Sequence, residues 1–218
     1  MVTEIRETVR MDYVFRAQIT TPTDFDPKKE SLPMLVFLHG SGERGDDLSR
    51  VKIHGLAKKF AENSDWNGLR VITVSPQCPN DITWSELTYP LFQFIQNTAK
   101  AYNADPDRIS ITGLSMGGFG TWNMIAVYPD FFSAAAPICG GGMSWRIPAN
   151  MKMPVRAFHG DADSVVPFSC SVDMVNTMNE RGGHAELTVF PGCDHNSWDP
   201  AYDTTDVIEW LVRSRRNH

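Results

Sequence analysis

The sequence predicts an α/β fold: a mostly parallel central sheet with helices on both faces, an antiparallel N-terminal edge strand and no large cap domain. Two observations carry this. Short apolar runs alternate with stripes of helical period, and a serine ringed by glycines stands where one run ends and one stripe begins. With 218 residues and no Pro-rich, Gly/Ser-rich or single-charge run, the chain is expected to form one domain over 1–218.

Tyr13, Phe15, Ala17 and Ile19 alternate with Arg16, Gln18 and Thr20, the period of a strand with one wet face, and so predict an edge. The runs Met34–His39, Arg70–Ser75, Arg108–Gly113, Phe132–Ile138, Val155–Gly160 and Ala185–Phe190 have few polar interruptions, as interior parallel strands covered on both faces do. Between them lie apolar stripes at i, i+3, i+4 or close to it: Ile53, Leu56, Ala57, Phe60 and Ala61; Leu91, Phe94, Ile95, Thr98 and Tyr102; Val172, Val175 and Met178; Val207, Ile208, Leu211 and Val212. Such alternation predicts right-handed crossovers, with functional groups gathered at the carboxyl edge of the sheet. The longest segment that could form a cap, Gly140–Met153, has 14 residues. That is too short for a lipase-like lid, so an open, shallow site is expected.

The net charge is -6, and the basic residues are scattered apart from Arg213, Arg215 and Arg216. This argues against a nucleic-acid or anionic-membrane partner. No apolar span approaches 18 residues and the acidic N-terminus has no signal-peptide run, so a cytoplasmic location is expected. Cys78, Cys139, Cys170 and Cys193 show no C-x-x-C pairing and are expected to be reduced thiols. Cys193 and His195 form a Cys-x-His pair, but no further His/Cys cluster accompanies it and no metal is expected.

Gly113-Leu114-Ser115-Met116-Gly117 follows a predicted strand and precedes a helix containing Phe119, Trp122, Ile125 and Ala126. A G-x-S-x-G at such a junction is a nucleophile elbow, in which the serine takes a strained backbone and the glycines avoid collisions with neighbouring backbone. Gly118 and Gly120 are expected to let the helix pack close to its strands. A serine hydroxyl needs a base, and the base needs a carboxylate to fix its tautomer. In chain order the acid comes first: Asp163, after the strand Val155–Phe158, with Asp161 as the alternative that would instead brace the turn. The base is His195, in the loop after Ala185–Phe190. His39 and His159 read as structural, His54 and His184 as surface positions, and His218 as a frayed end. The oxyanion of an acyl-transfer intermediate would be met by the backbone N–H of Met116 and by Ser41, with Gly40 as the alternative, in the loop His39–Asp47.

The stretches LHGSGERGDD, SPQCP followed by Trp84, GLSMGG, HGDADSVVP and HNSW, in order from Leu38 to Trp198, resemble the α/β-hydrolase superfamily. Within it they are similar to the small carboxylesterases of the phospholipase/carboxylesterase, feruloyl esterase and polyhydroxybutyrate-depolymerase-like "predicted peptidase" group. The resemblance implies the α/β-hydrolase fold and a Ser115, Asp163, His195 triad that hydrolyses a carboxylic ester through an acyl-enzyme without a cofactor. It also implies that Gln77 and Trp84 lie beside the acyl or alcohol pocket, with a purely packing role for Trp84 equally open, and that Trp198 covers the back of His195. The expected partner is a small-molecule ester, short-chain or aryl, acted on by a monomer or homodimer. The competing readings are a peptidase or amidase on the same triad and a silent binding protein.

Overall fold

The computed structural model describes residues 13–216, so the acidic N-terminal stretch and His218 lie outside the described residues. One seven-stranded sheet organises the chain: β1 Ala17–Thr20, β2 Leu32–Leu38, β3 Ile72–Pro76, β4 Ala104–Leu114, β5 Ala134–Ile138, β6 Pro154–Gly160 and β7 His184–Phe190. Their order is β1-β3-β2-β4-β5-β6-β7, with β1 antiparallel to β3 and every other neighbour parallel. The helices are α1 Gly55–Glu62, α2 Thr88–Ala101, α3 Met116–Val127, α4 Ser169–Glu180, α5 Trp198–Thr204 and α6 Val207–Arg213.

Side-chain alternation along the strands builds two cores. From β2, Met34, Val36 and Leu38 pack with Leu91 and Ile95 of α2, Trp122 and Ile125 of α3, and Met174 and Met178 of α4. Leu35 and Phe37 point the other way, to Leu56 and Phe60 of α1, Tyr202 of α5, and Ile208 and Leu211 of α6. Each such fully buried side chain contributes roughly 1.5–3 kcal/mol relative to exposure. Two polar residues of β4 face this second core, and both are satisfied. Ser110 donates to Leu211 O at 2.5 Å, and Thr112 donates to Ala136 O at 2.6 Å while the Tyr202 hydroxyl lies 2.8 Å from its oxygen. Helix ends follow local chemistry. Pro90 sits in the first turn of α2, where its missing N–H is not needed, and Asn103 at φ 49° carries the chain out of that helix.

Three expectations are corrected. Ala185–Phe190 reads as an interior strand, yet β7 is the far edge and much of it is exposed, because no strand among the described residues pairs beyond it. Ile53 belongs to no helix. It is half exposed ahead of α1, and Val51, in a 3-10 turn over Leu48–Lys52, takes the buried place. Tyr13–Arg16 precede β1 rather than belonging to it. The basic C-terminal cluster is also tied down: Arg215 pairs with Asp105 and Asp107, and Arg216 with Asp107, so the end of the chain is clamped to the start of β4.

The chain passes from β2 to β3 on one side and then crosses back over β2 to β4, so strand order reverses between β2 and β4. The crevice at their carboxyl ends is where such sheets bind ligands. The approach of α3 to this point is very close. A Cβ on Gly117 would fall inside the carbonyl oxygen of Leu38, and one on Gly118 would strike the carbonyl of Ile138. A Cβ on Gly120 would meet the Trp84 side chain and, at 3.0 Å, Leu38 Cδ1 of β2.

Gly117→Ala is therefore expected to destabilise the fold by about 3 kcal/mol or more, since backbone rather than a movable side chain blocks the methyl. Gly42→Ala, with no atom within 4 Å of the added methyl, should stay within about 0.5 kcal/mol of the parent. Urea-unfolding midpoints of the two variants check the contrast; equal midpoints would refute the close-approach account.

Candidate active site

β4 ends at Leu114 and α3 begins at Met116, leaving Ser115 as the single residue of the turn, with φ 54° and ψ -119°. A non-glycine residue there carries roughly 1–3 kcal/mol of strain, which the surroundings must hold. Ser115 N–H donates to Ile138 O at 3.0 Å and lies 3.3 Å from Cys139 Sγ, while Ser115 O accepts from Phe119 N–H at 3.1 Å. The hydroxyl lies outside this frame, 2.9 Å from His195 Nε2.

His195 Nδ1 in turn lies 2.8 Å from Asp163 Oδ2. Asp163 has no exposed side-chain surface, and its other oxygen accepts the N–H groups of Val165 at 2.9 Å and Val166 at 2.8 Å. Burial, the largest influence, pushes its carboxyl up. The hydrogen bonds from His195, Val166 and Val165 more than offset it and hold the carboxyl below the usual range, so it is ionised at neutral pH. An ionised Oδ2 can only accept. Nδ1 of His195 therefore carries the ring hydrogen, and Nε2 is free to accept from Ser115.

Two further carboxylates hold the loops that carry Asp163 and His195. Asp161 accepts Gly192 N–H at 2.6 Å, bracing the base loop rather than its own turn. Asp194, which sequence reasoning missed, accepts the Ser164 N–H and hydroxyl and the His195 N–H, each at 2.8 Å. Its only signal in the sequence is its place directly before the base. Trp198 meets the His195 ring edge-on at 5.4 Å, the contact expected of it, and also meets His54 at 5.6 Å. His159 binds its own loop through Val166 O, as expected of a structural histidine, and it also reaches Asp163.

Met116 is the first residue of α3 and Ser41 the first of a 3-10 turn over Ser41–Glu43, so neither N–H has an acceptor within its own helical turn. The loop passes close to Ser115; a Cβ on Gly40 would be 3.7 Å from Ser115 Cβ. The residues expected beside the pocket, Gln77 and Trp84, lie instead one layer behind it. Gln77 is buried and donates to Glu43 O at 3.0 Å and Asp47 O at 2.8 Å, spanning the base of the loop. Trp84 is fully buried and donates through Nε1 to His39 O at 2.9 Å. Its neighbours Thr83 and Ser85 line a groove of about 340 Å³ together with Phe119 and Met116, the residue after Ser115. A donor atom each from Cys139, Asp163 and His195 lie within 4.8 Å of one another. Burial pushes the Cys139 thiol up to about 12, which disfavours the thiolate that a metal would need. Cys193 points elsewhere, to Asp194 O at 3.3 Å.

A family model described as "Dienelactone hydrolase family" matches residues 83–204, more than half of the chain. Poly(3-hydroxyalkanoate) depolymerase C of Paucimonas lemoignei is 36% identical over 112 residues, covering 42% of this chain and 27% of that protein. An uncharacterized secreted protein of Arthroderma benhamiae is 32% identical over 246 residues, 91% of this chain and 25% of its own length. Among solved structures, a thermostable esterase is 34% identical with a TM-score of 0.80, covering 92% of this chain and 59% of that one. A feruloyl esterase module from Clostridium thermocellum, 16% identical with a TM-score of 0.70 over 93% of this chain and 85% of that one, shares the fold. The chain thus spans about a quarter of the length of these two curated relatives. No helix among the described residues is long and apolar enough to cross a membrane.

One pH dependence follows from the ring beneath the loop. His39 donates from Nδ1 to Gly40 O at 2.6 Å and accepts Cys78 N–H at Nε2 at 3.0 Å, a pattern open only to the neutral ring, and burial lowers its pKa from 6.5 to about 4. The unfolded chain takes up this proton near pH 6.5 and the folded chain only near 4. Stability is therefore full above 6.5, falls through that window by up to about 3 kcal/mol, and levels below it. Burial depresses His159 in the same direction. Urea midpoints measured from pH 7 to 4 should fall, and less steeply in His39→Gln; a flat wild-type midpoint would contradict the neutral buried ring.

Proposed function

The chain belongs to the dienelactone hydrolase family, and from that membership we propose that it is a serine carboxylesterase that cleaves short-chain or aryl esters through an acyl-enzyme. It is a hydrolase by family, and its architecture is that of the α/β-hydrolase superfamily. The observation that carries the finer reading is the unbroken line of hydrogen bonds from Ser115 Oγ through His195 to Asp163, at 2.9 and 2.8 Å, across three separate loops.

In the proposed reaction Ser115 Oγ attacks the ester carbonyl carbon as its proton passes to His195 Nε2. The carbonyl oxygen becomes an oxyanion facing the N–H groups of Ser41 and Met116. Asp163 steadies the imidazolium. Collapse of the intermediate breaks the bond to the alcohol oxygen, which leaves with the proton from His195. Water then gives its proton to His195 as its oxygen attacks the acyl-enzyme, and collapse of this second intermediate breaks the acyl–Oγ bond, returns the proton from His195 to Ser115 Oγ and releases the acid. No cofactor takes part. The groove beside Met116, about 340 Å³ and open, is large enough for a short aliphatic chain or one aromatic ring. The named activities of the relatives, depolymerase and esterase, support ester rather than amide cleavage. The fold is also shared by acylaminoacyl peptidases, of whose chains this one covers 41%, so the ester-to-amide ratio is worth measuring directly.

Ser115→Ala is expected to abolish turnover of a p-nitrophenyl ester and labelling by a fluorophosphonate, and Asp163→Asn to slow turnover by up to ~10⁴-fold with the fold intact. Across acetyl, butyryl, octanoyl, palmitoyl and feruloyl esters kcat/KM should peak at short or aryl acyl groups. A steady climb to palmitate would overturn the short-chain reading. An anilide cleaved as fast as its ester would favour the peptidase.

A further inference from the structure

His159 is the last residue but one of β6, with no exposed side-chain surface, and the proposed reaction leaves it without a task. Its ring is fully engaged. Nδ1 lies 2.7 Å from Ser171 Oγ on α4, Nε2 lies 3.1 Å from both Asp163 Oδ2 and Val166 O, and Phe168 packs edge-on at 5.7 Å. Counting protons decides the tautomer. Both groups facing Nε2 are acceptors, a carboxylate and a carbonyl, so Nε2 must carry hydrogen. Burial disfavours a second proton on the ring, leaving Nδ1 bare. Ser171 then donates to Nδ1; sending that hydrogen to Gly140 O, 2.8 Å away, would leave Nδ1 with no donor.

We propose that His159 is a positioning residue for the reaction. As the Nε2–H tautomer fixed by Ser171, it donates to Asp163 Oδ2, the same oxygen that His195 uses, and so aims the carboxylate and moderates its pull on the His195 proton. This rests on the Ser115, His195, Asp163 reading above. Without the second donor, Oδ2 would serve His195 alone, the imidazolium would be held more tightly, and the base would turn neutral only at higher pH. The other titratable groups interacting with this pair are Cys139 after β5, Cys170 on α4 and Cys193 in the base loop, all thiols pushed up by burial, together with the Asp194 carboxylate beside His195. None of them donates to Oδ2 in place of His159.

The test compares pH profiles of kcat and kcat/KM on an aryl ester for the parent, His159→Leu and His159→Gln, and reads the His159 tautomer by long-range 15N–1H correlation in the parent and in Ser115→Ala. In His159→Leu kcat should fall on the order of 10–100-fold with little change in KM, and the acid limb should move up by about half a pH unit or more. His159→Gln, whose amide N–H₂ reaches near the Nε2 position, should recover most of both. An unmoved acid limb in a folded His159→Leu overturns the proposal. So does an Nδ1–H ring or an imidazolium at pH 7, which the spectra decide even if neither variant folds. If Ser115→Ala still turns over the ester, the triad reading fails, while the spectra still decide the tautomer.

Discussion

A carboxylate with no exposed surface must have its lone pairs occupied, and Asp163 occupies them with four donors: two backbone N–H groups on one oxygen and two imidazoles on the other. The remaining geometry of the site depends on this arrangement. Its charged form persists in a buried place only because donors replace the lost water. That persistent charge fixes the His195 hydrogen on Nδ1 and leaves Nε2 turned to Ser115. The turn that supplies the two backbone donors is short, so the carboxylate cannot rotate without giving up one or both. Orientation and ionisation are thus secured by the same contacts.

Ser115 is held on a different principle, exclusion of volume. Ser115 sits in a strained conformation because β4, β2, β5 and α3 converge around it, and the convergence is possible only where Gly117 and Gly118 lack side chains. The loop from His39 to Asp47 is fixed from behind. Gln77 spans its base, Trp84 binds the carbonyl of His39, and Cys78 N–H meets the His39 ring. Backbone N–H groups placed in this way need no side-chain reorganisation when negative charge develops nearby, and such preorganisation gives oxyanion donors their effect.

The sequence made much of this legible, for identifiable reasons. The elbow around Ser115, and Asp163 and His195 in loops after strands, follow from chain order and strand pattern, both local properties, and the structure brings the three side chains into one hydrogen-bonded line. Which way a residue turns after a strand ends is not local. Gln77 and Trp84 are close in sequence to the groove but face inward, and only Thr83 and Ser85 reach it. Strand order is not local either, so nothing in Ala185–Phe190 announces that β7 has no outer neighbour. Asp194 and the contact of His159 with Asp163 went unread because each is defined by a second loop, and a sequence pattern carries no information about which loops lie face to face.

Sheet geometry explains why those loops have the lengths they do. With strands about 4.8 Å apart, the end of β6 lies about 10 Å from the end of β4, and the end of β7 about 14 Å. Asp163 is three residues beyond the end of β6, and His195 five beyond the end of β7. Five extended residues could reach about 17 Å, yet the loop after β7 is folded rather than extended: Cys193 N–H closes a turn on Phe190 O at 3.2 Å. The turn brings it directly over the end of the neighbouring β6, where Ala162 N–H meets Cys193 O at 3.2 Å and Gly160 leaves no Cβ in the path of the same carbonyl. The Asp163 and His195 side chains therefore meet near the end of β6, and the far side of the imidazole ring lies 2.9 Å from Ser115 Oγ. The turn and the hydrogen bonds through Asp161 to Gly192 and through Asp194 to Ser164 tie this loop to the one that carries Asp163, so His195 is held beside Ser115 by contacts within the fold.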